Sequence, residues 1–221
     1  MTREQLYKLV HFLAYGLIKL EFRGTENIPQ TGGVIFATNH TSRLDTPLLM
    51  LTPGRRDIIA LAADKYKKDP LFKWILDSSG SIWIDRDRAD FGAMRAALDF
   101  LRKGGAVGIA PEGTRSTTGS LQEAKEGVVF LAERARVPLI PIGIAGTDLA
   151  MKKILRLRKP VVTISYGKPV ALPPMPREGR DVWQKQCTDD VMCRIASLLP
   201  PSYRGFYANH PRLAQYLENG G

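Results

Sequence analysis

Gly33-Val34-Ile35-Phe36-Ala37-Thr38-Asn39-His40-Thr41-Ser42-Arg43-Leu44-Asp45 is a short apolar run that breaks off into a polar cluster. The run Val34–Thr38 has the length and composition of a buried strand. Thr41 and Ser42 are N-cap residue types and Pro47 suits a helix's first turn, so a helix is expected to start between Ser42 and Pro47. His40 and Asp45 stand between strand and helix. On a regular helix their spacing would set the side chains about 140° apart, so they can meet only if the chain turns between them. An imidazole and a carboxylate at a strand end have the layout of a general base with its orienting acid. The same residues also fit a capping box, Ser42-Arg43-Leu44-Asp45, in which Asp45 satisfies a backbone N–H and His40 is an ordinary loop residue. The dipeptide alone decides nothing: Asn209-His210 is followed by Pro211-Arg212, with no acid at the matching spacing.

Outward from this stretch, short apolar runs alternate with helical patterns. Strands are expected over Val34–Thr38, Ile58–Ala62, Ser81–Ile84, Ala106–Ala110, Leu139–Ile144 and Val161–Tyr166. Helices are expected over Thr46–Leu51, Pro70–Asp77, Asp90–Lys103, Glu123–Ala135 and Gly179–Leu199. Such alternation predicts an α/β fold, a largely parallel sheet flanked by helices. Ligands of open parallel sheets bind beyond the carboxyl ends of the strands. His40 follows the first expected strand, Arg86 the third, and Pro111-Glu112-Gly113-Thr114-Arg115-Ser116 the fourth, so these polar groups are expected on one rim.

At 221 residues, 44% hydrophobic and 24% charged, the chain suits one globular domain, not a disordered or disulfide-built one. Cys187 and Cys193 form no CxxC or zinc pattern and are expected as reduced thiols. A net charge of +10 implies an anionic partner: nucleic acid, acidic lipid head groups or phosphorylated substrates. Nucleic acid is the least expected, because basic residues alternate with acids and no zinc-finger or RNA-binding signature occurs. Leu9–Ile18 is far short of the ~20 apolar residues that span a bilayer. Leu6, Leu9, Val10, Leu13, Leu17 and Leu20 fall at helical spacing, which predicts an N-terminal amphipathic helix. It either packs on the protein's own core or lies in a membrane interface, as its aromatics and basic flanks would suit. The expected division is residues 1–22 for this helix, 23–200 for the main domain, and 201–221 for a tyrosine-rich tail of open structure.

The Pro111–Ser116 stretch carries a glycine that allows close backbone approach, two hydroxyls, and in Arg115 a planar fork suited to phosphate. Glu112 is expected to orient Arg115 or a substrate hydroxyl. The plain alternative is a polar turn between strand and helix.

Taken together, the chain resembles the glycerolipid acyltransferase family, which includes lysophosphatidate (1-acylglycerol-3-phosphate) acyltransferases. Four family blocks occur in order: Asn39-His40-x-Ser42-x-x-Asp45, Gly80-Ser81-Ile82-Trp83-Ile84-Asp85-Arg86, Pro111-Glu112-Gly113-Thr114-Arg115-Ser116, and Val137-Pro138-Leu139-Ile140-Pro141-Ile142. Lys125-x-Gly127 matches as well. The chain departs from the pattern at Ala110 and Ala124, where the family often has aromatics; both changes shrink the pocket wall. The resemblance implies transfer of a fatty acyl group from acyl-CoA or acyl carrier protein to the hydroxyl of lysophosphatidate, giving phosphatidate. His40 would be the general base, worth roughly 10²–10⁴ in rate, and Asp45 its orienting acid. It assigns Arg86, Glu112, Gly113, Thr114 and Arg115 to acceptor binding. No G-x-S-x-G elbow occurs, so direct transfer is expected, with no cofactor beyond the thioester donor and no metal. The alternatives are glycerol-3-phosphate or another lysophospholipid as acceptor, or a non-catalytic basic membrane-binding protein. A peripheral or monotopic location on the cytoplasmic face of a membrane with anionic lipids is expected. The basic, leucine-rich stretch Met151–Lys159 would assist it, unless that stretch is a solvated loop or helix.

Overall fold

The computed structural model describes residues 1–85, 88 and 90–218. In chain order the elements are α1 (Arg3–Leu17), β1 (Lys19–Arg23), β2 (Val34–Thr38), α2 (Asp45–Leu49), β3 (Ile59–Ala63), α3 (Pro70–Ser79), β4 (Ile82–Ile84), α4 (Phe91–Arg102), β5 (Ala106–Ile109), α5 (Gly127–Ala135), β6 (Leu139–Ala145), α6 (Ala150–Leu155), β7 (Val161–Tyr166), α7 (Arg180–Ser197) and α8 (Pro211–Glu218), with short 3₁₀ turns between some of them. The strands form one sheet in the order β1-β7-β6-β2-β5-β3-β4. Strands β2 to β6 are mutually parallel. β7 pairs antiparallel with β6, and β1 runs parallel to β7. The last two therefore run against the rest.

Strand β2 lies at the centre and every residue in it is buried. Helices cover both faces of the sheet, which is why the run is continuously apolar. Its side chains divide by the two-residue period of a strand. Ile35 and Ala37 join the core under α4, α5 and α7. Val34 and Phe36 join the core under α1 and α2.

Local chemistry sets several boundaries. The α1 N-terminus carries a capping box, with Thr2 Oγ1 accepting from Gln5 N–H and Gln5 Oε1 from Thr2 N–H, which satisfies orphan donors. Asp69 caps α3 ahead of Pro70 at the first position, and Gly80 ends that helix in the left-handed region at φ 71°, where glycine carries no Cβ penalty.

Three features depart from the expected elements. The first helix ends at Leu17, and Lys19-Leu20-Glu21-Phe22-Arg23 is an edge strand. Its alternation of charged and apolar residues is the strand signal, and Leu17 to Leu20, at helical spacing, masks it. The helix expected from Glu123 begins at Gly127, because residues 122–125 are held by outside partners: Gln122 N–H by Glu112, Ala124 N–H by the Tyr207 hydroxyl, and Lys125 N–H by the Pro111 carbonyl. Beyond α7, the stretch left open by sequence folds back onto the domain, with Tyr207 fully buried and α8 against α7.

Candidate active site

The chain does turn between His40 and Asp45. His40 Nδ1 lies 2.9 Å from Asp45 Oδ2, with Asp45 at the first position of α2. The same oxygen accepts the backbone N–H of Thr41 at 2.8 Å and of Ser42 at 2.7 Å. Oδ1 accepts the Thr147 hydroxyl at 2.6 Å. The carboxylate thus satisfies backbone donors, and through them it is fixed where it meets the imidazole; the Ser42 hydroxyl accepts from Leu44 N–H and does not cap the Asp45 N–H. Because Oδ2 only accepts, the ring nitrogen facing it is the donor, which leaves Nε2 as the free basic nitrogen of His40. The Asp45 side chain is 3% exposed and that of His40 is 17% exposed, so the carboxylate is buried and the imidazole reaches the surface.

The backbone of His40 is clamped as firmly. Its N–H donates to Glu112 Oε1 at 3.0 Å, and its carbonyl accepts from Ser116 N–H at 2.8 Å. Next to it, the buried Asn39 amide makes a pair of 2.8 Å bonds with the backbone N–H and carbonyl of Ile144 on β6. Asn39 thus continues the β2–β6 ladder one step past the strand. Thr147 is oriented in turn from the C-terminal segment, where the Tyr203 hydroxyl accepts from Gly146 N–H at 3.0 Å and donates to Asp148 at 2.6 Å. Asn39 belongs to the first family block, but no local sequence signal marks Thr147 or Tyr203 as site residues, because their partners lie 102 and 55 positions away.

Glu112 is buried at 3% exposure, and its oxygens accept from His40 N–H and, at 2.9 Å, Gln122 N–H. The carboxylate points into the rim, and among the described residues no ion pair joins it to Arg115. Burial pushes its pKa up from the ordinary 4.5 to about 7, against the lowering effect of the two N–H donors. The folded state then holds this proton more tightly than the unfolded chain, so Glu112 lowers stability as pH rises from about 4.5 to about 7 and adds no slope above that window. Glu112→Gln is expected to flatten stability over that window in denaturant titrations. It should also cost about 1–3 kcal/mol, since its NH₂ must face one of two buried N–H donors.

Thr114 is exposed and Arg115 half-buried. Gly113 sits at φ 69°, and a Cβ there would lie 3.3 Å from Lys125 Cδ. Lys125 is thereby placed beside the Gly113 turn. Gly113→Ala should lose about 1–2 kcal/mol in thermal or chemical unfolding, the scale of forcing a side chain into the left-handed region. Arg86 lies outside the described residues.

Two hollows flank the rim. One is lined by His40, Arg43, Pro47, Ala60, Leu61, Ala62, Ala63, Phe72, Ile75 and Leu76, and is largely apolar. The other combines Ile109, Ala110, Met94, Val128 and Leu131 with Arg88, Lys125, Gly113 and the carboxylates Asp85 and Asp90. Ala110 thus lines a hollow, whereas beside Ala124 the Tyr207 hydroxyl occupies the backbone N–H. Both cysteines are free and buried, and burial raises both thiols, that of Cys193 up to about 12, which disfavours the thiolate. Among the described residues no helix is long and apolar enough to cross a membrane.

Comparison with known proteins adds three findings. Residues 19–145 match the family model described as Acyltransferase. The chain is 29% identical over 133 residues to the 1-acyl-sn-glycerol-3-phosphate acyltransferase of Borreliella burgdorferi, covering 59% of this chain and 53% of that one. It is 32% identical over 177 residues to the human 1-acyl-sn-glycerol-3-phosphate acyltransferase alpha, covering 75% and 57%. The chain spans about half the length of the curated relatives it matches. Its fold is similar to the crystal structure of the 1-acyl-sn-glycerophosphate (LPA) acyltransferase PlsC from Thermotoga maritima, with a TM-score of 0.63 at 24% identity over 86% of this chain and 78% of that one.

Proposed function

The chain belongs to the acyltransferase family, and from that premise we propose that it moves a fatty acyl group from a thioester to the free hydroxyl of 1-acylglycerol-3-phosphate, giving phosphatidate. The observation that carries this reading is the 2.9 Å contact of His40 Nδ1 with a buried carboxylate on a rim clamped by the Pro111–Ser116 loop. With Nδ1–H donated to Asp45, Nε2 takes the proton from the acceptor hydroxyl as its oxygen attacks the thioester carbonyl carbon. The C–O bond forms, the C–S bond breaks, and Nε2 returns the proton to the departing sulfur. The donor is acyl-CoA or acyl carrier protein, and the apolar hollow beside His40 would receive the thioester end of the acyl chain.

The acceptor's phosphate is assigned to Arg115, Lys125 and the Gly113 turn, with Thr114 beside them. Lys125 lies just ahead of α5 and beside the Gly113 turn, which places its ammonium near the turn that leads to Arg115. Arg86, which follows the third expected strand, joins this set on the family resemblance. Glu112 acts through His40: it fixes the backbone from which the imidazole projects. The enzyme is proposed to work at the cytoplasmic face of a membrane as a peripheral or monotopic protein. Support comes from the exposed Leu9, Phe12, Leu13 and Leu17 of α1 and from the two free thiols.

The test is a product assay across lysophosphatidate, glycerol-3-phosphate and other lysophospholipids, each with acyl-CoA and with acyl carrier protein. Phosphatidate as the fastest-formed product supports the reading; acylation of another acceptor, or of none, overturns it.

A further inference from the structure

We propose that the segment from Leu149 to Lys159 is a second membrane-docking element, which seats the catalytic rim on a bilayer rich in anionic lipid. This deepens the proposed activity by saying how the rim meets a lipid acceptor, and it rests on its own observations. Leu157 is 98% exposed and Leu155 78%, with Met151 and Leu149 near one half. Single exposed leucines are ordinary, but four large apolar side chains in nine residues form a patch. Five cations, Lys152, Lys153, Arg156, Arg158 and Lys159, are interleaved with them, all exposed and with no acid in the segment.

Backbone geometry gives the projection a cause. Leu157 sits at φ 54°, a left-handed conformation that costs a branched side chain energy and that glycine would adopt freely. Bonds from Leu157 N–H to the Ile154 carbonyl and from Arg158 N–H to the Lys153 carbonyl, both 2.9 Å, hold the turn. The chain reverses there with an apolar side chain at its tip.

Topology places this tip beside the site. Helix α6 follows Thr147, the residue that holds Asp45. Since β1 and β7 run against β6, their first residues lie at the rim where β2, β5 and β6 end. Lys159 Nζ bonds the Tyr15 carbonyl at 2.8 Å and Lys19 N–H bonds the Pro160 carbonyl, so the tip is tied to the end of α1. The end of α1 and the tip are thus neighbours on the side of the sheet that borders the rim. An apolar tip with a basic collar is complementary to head groups that are anionic above an acyl interior. Nucleic acid fits it poorly, because the segment has no aromatic on which a base could stack.

The test is flotation of the full chain with vesicles of phosphatidylcholine alone and of phosphatidylcholine and phosphatidylglycerol in equal parts. Leu157→Gly suits the backbone and should keep the melting temperature, yet lower partition onto anionic vesicles roughly tenfold. Leu155→Glu/Leu157→Glu should lower it further. Acylation of vesicle-borne lysophosphatidate should fall in parallel, while a water-soluble short-chain acceptor is turned over as before. Unchanged partition of both variants would overturn the proposal, as would equal binding of the parent chain to both vesicle types. Displacement from anionic vesicles by duplex DNA would do so too. None of these partition readouts depends on turnover, so they can fail while the acyltransferase reading stands.

Discussion

Replacing His40 by alanine should lower turnover by roughly 10²–10⁴, the range a general base contributes, with little loss of stability. The reason lies in how the site is divided between backbone and side chain. The clamps on residue 40 are its own N–H and carbonyl, bonded to Glu112 and Ser116, and alanine keeps both. Asp45 would still accept from Thr41, Ser42 and Thr147. Only the imidazole disappears. A matching melting temperature with turnover lost separates chemistry from folding, and turnover near that of the parent would remove His40 from the mechanism.

Asp45→Asn is expected to give the second large effect, up to roughly 10⁴-fold, the scale found when a triad acid is replaced by its amide. An asparagine oxygen can stay on the Thr41 and Ser42 N–H groups, with its NH₂ turned to the Thr147 hydroxyl, which can rotate to accept. The fold therefore survives while the charge that stabilises an imidazolium is lost. Asp45→Ala is different in kind. It strands the buried N–H groups and the Thr147 hydroxyl, at about 1–3 kcal/mol for each buried donor left unsatisfied, so it should unfold more readily as well as turn over slowly. Steady-state kinetics beside denaturant titration of the two variants checks this split.

How far the sequence foretells this site follows from the range of the interactions. The strand before His40, the helix near Asp45 and the meeting of His40 with the Pro111–Ser116 stretch on one rim are legible, because apolar period, caps and chain direction are local signals. Whether Asp45 only satisfies backbone donors or also meets the imidazole is not, since the contact depends on how the chain turns between residues 40 and 45. Glu112 shows the same limit. Its sequence neighbours suggest a partner for Arg115, yet its bonds go to His40, 72 positions away, and to Gln122. The edge strand Lys19–Arg23 has a readable alternation, but it becomes a strand through pairing with β7. Tyr203 and Tyr207 look like tail residues until α7 returns them to the rim.

These long-range bonds also explain why the site tolerates an open rim. His40 is fixed from the loop after β5 through Glu112 and Ser116 and from α2 through Asp45, while Asn39 ties its neighbour to β6. Preorganisation of this kind leaves little to be ordered when substrates arrive.

The most direct measurement is the initial rate of thiol release from acyl-CoA or acyl carrier protein by the parent chain and by His40→Ala, each with and without lysophosphatidate on anionic vesicles. Release that requires lysophosphatidate in the parent, yields phosphatidate, and falls by at least about 10² in the variant is the predicted result. Release that ignores the acceptor, or that persists in His40→Ala protein of unchanged melting temperature, would contradict it.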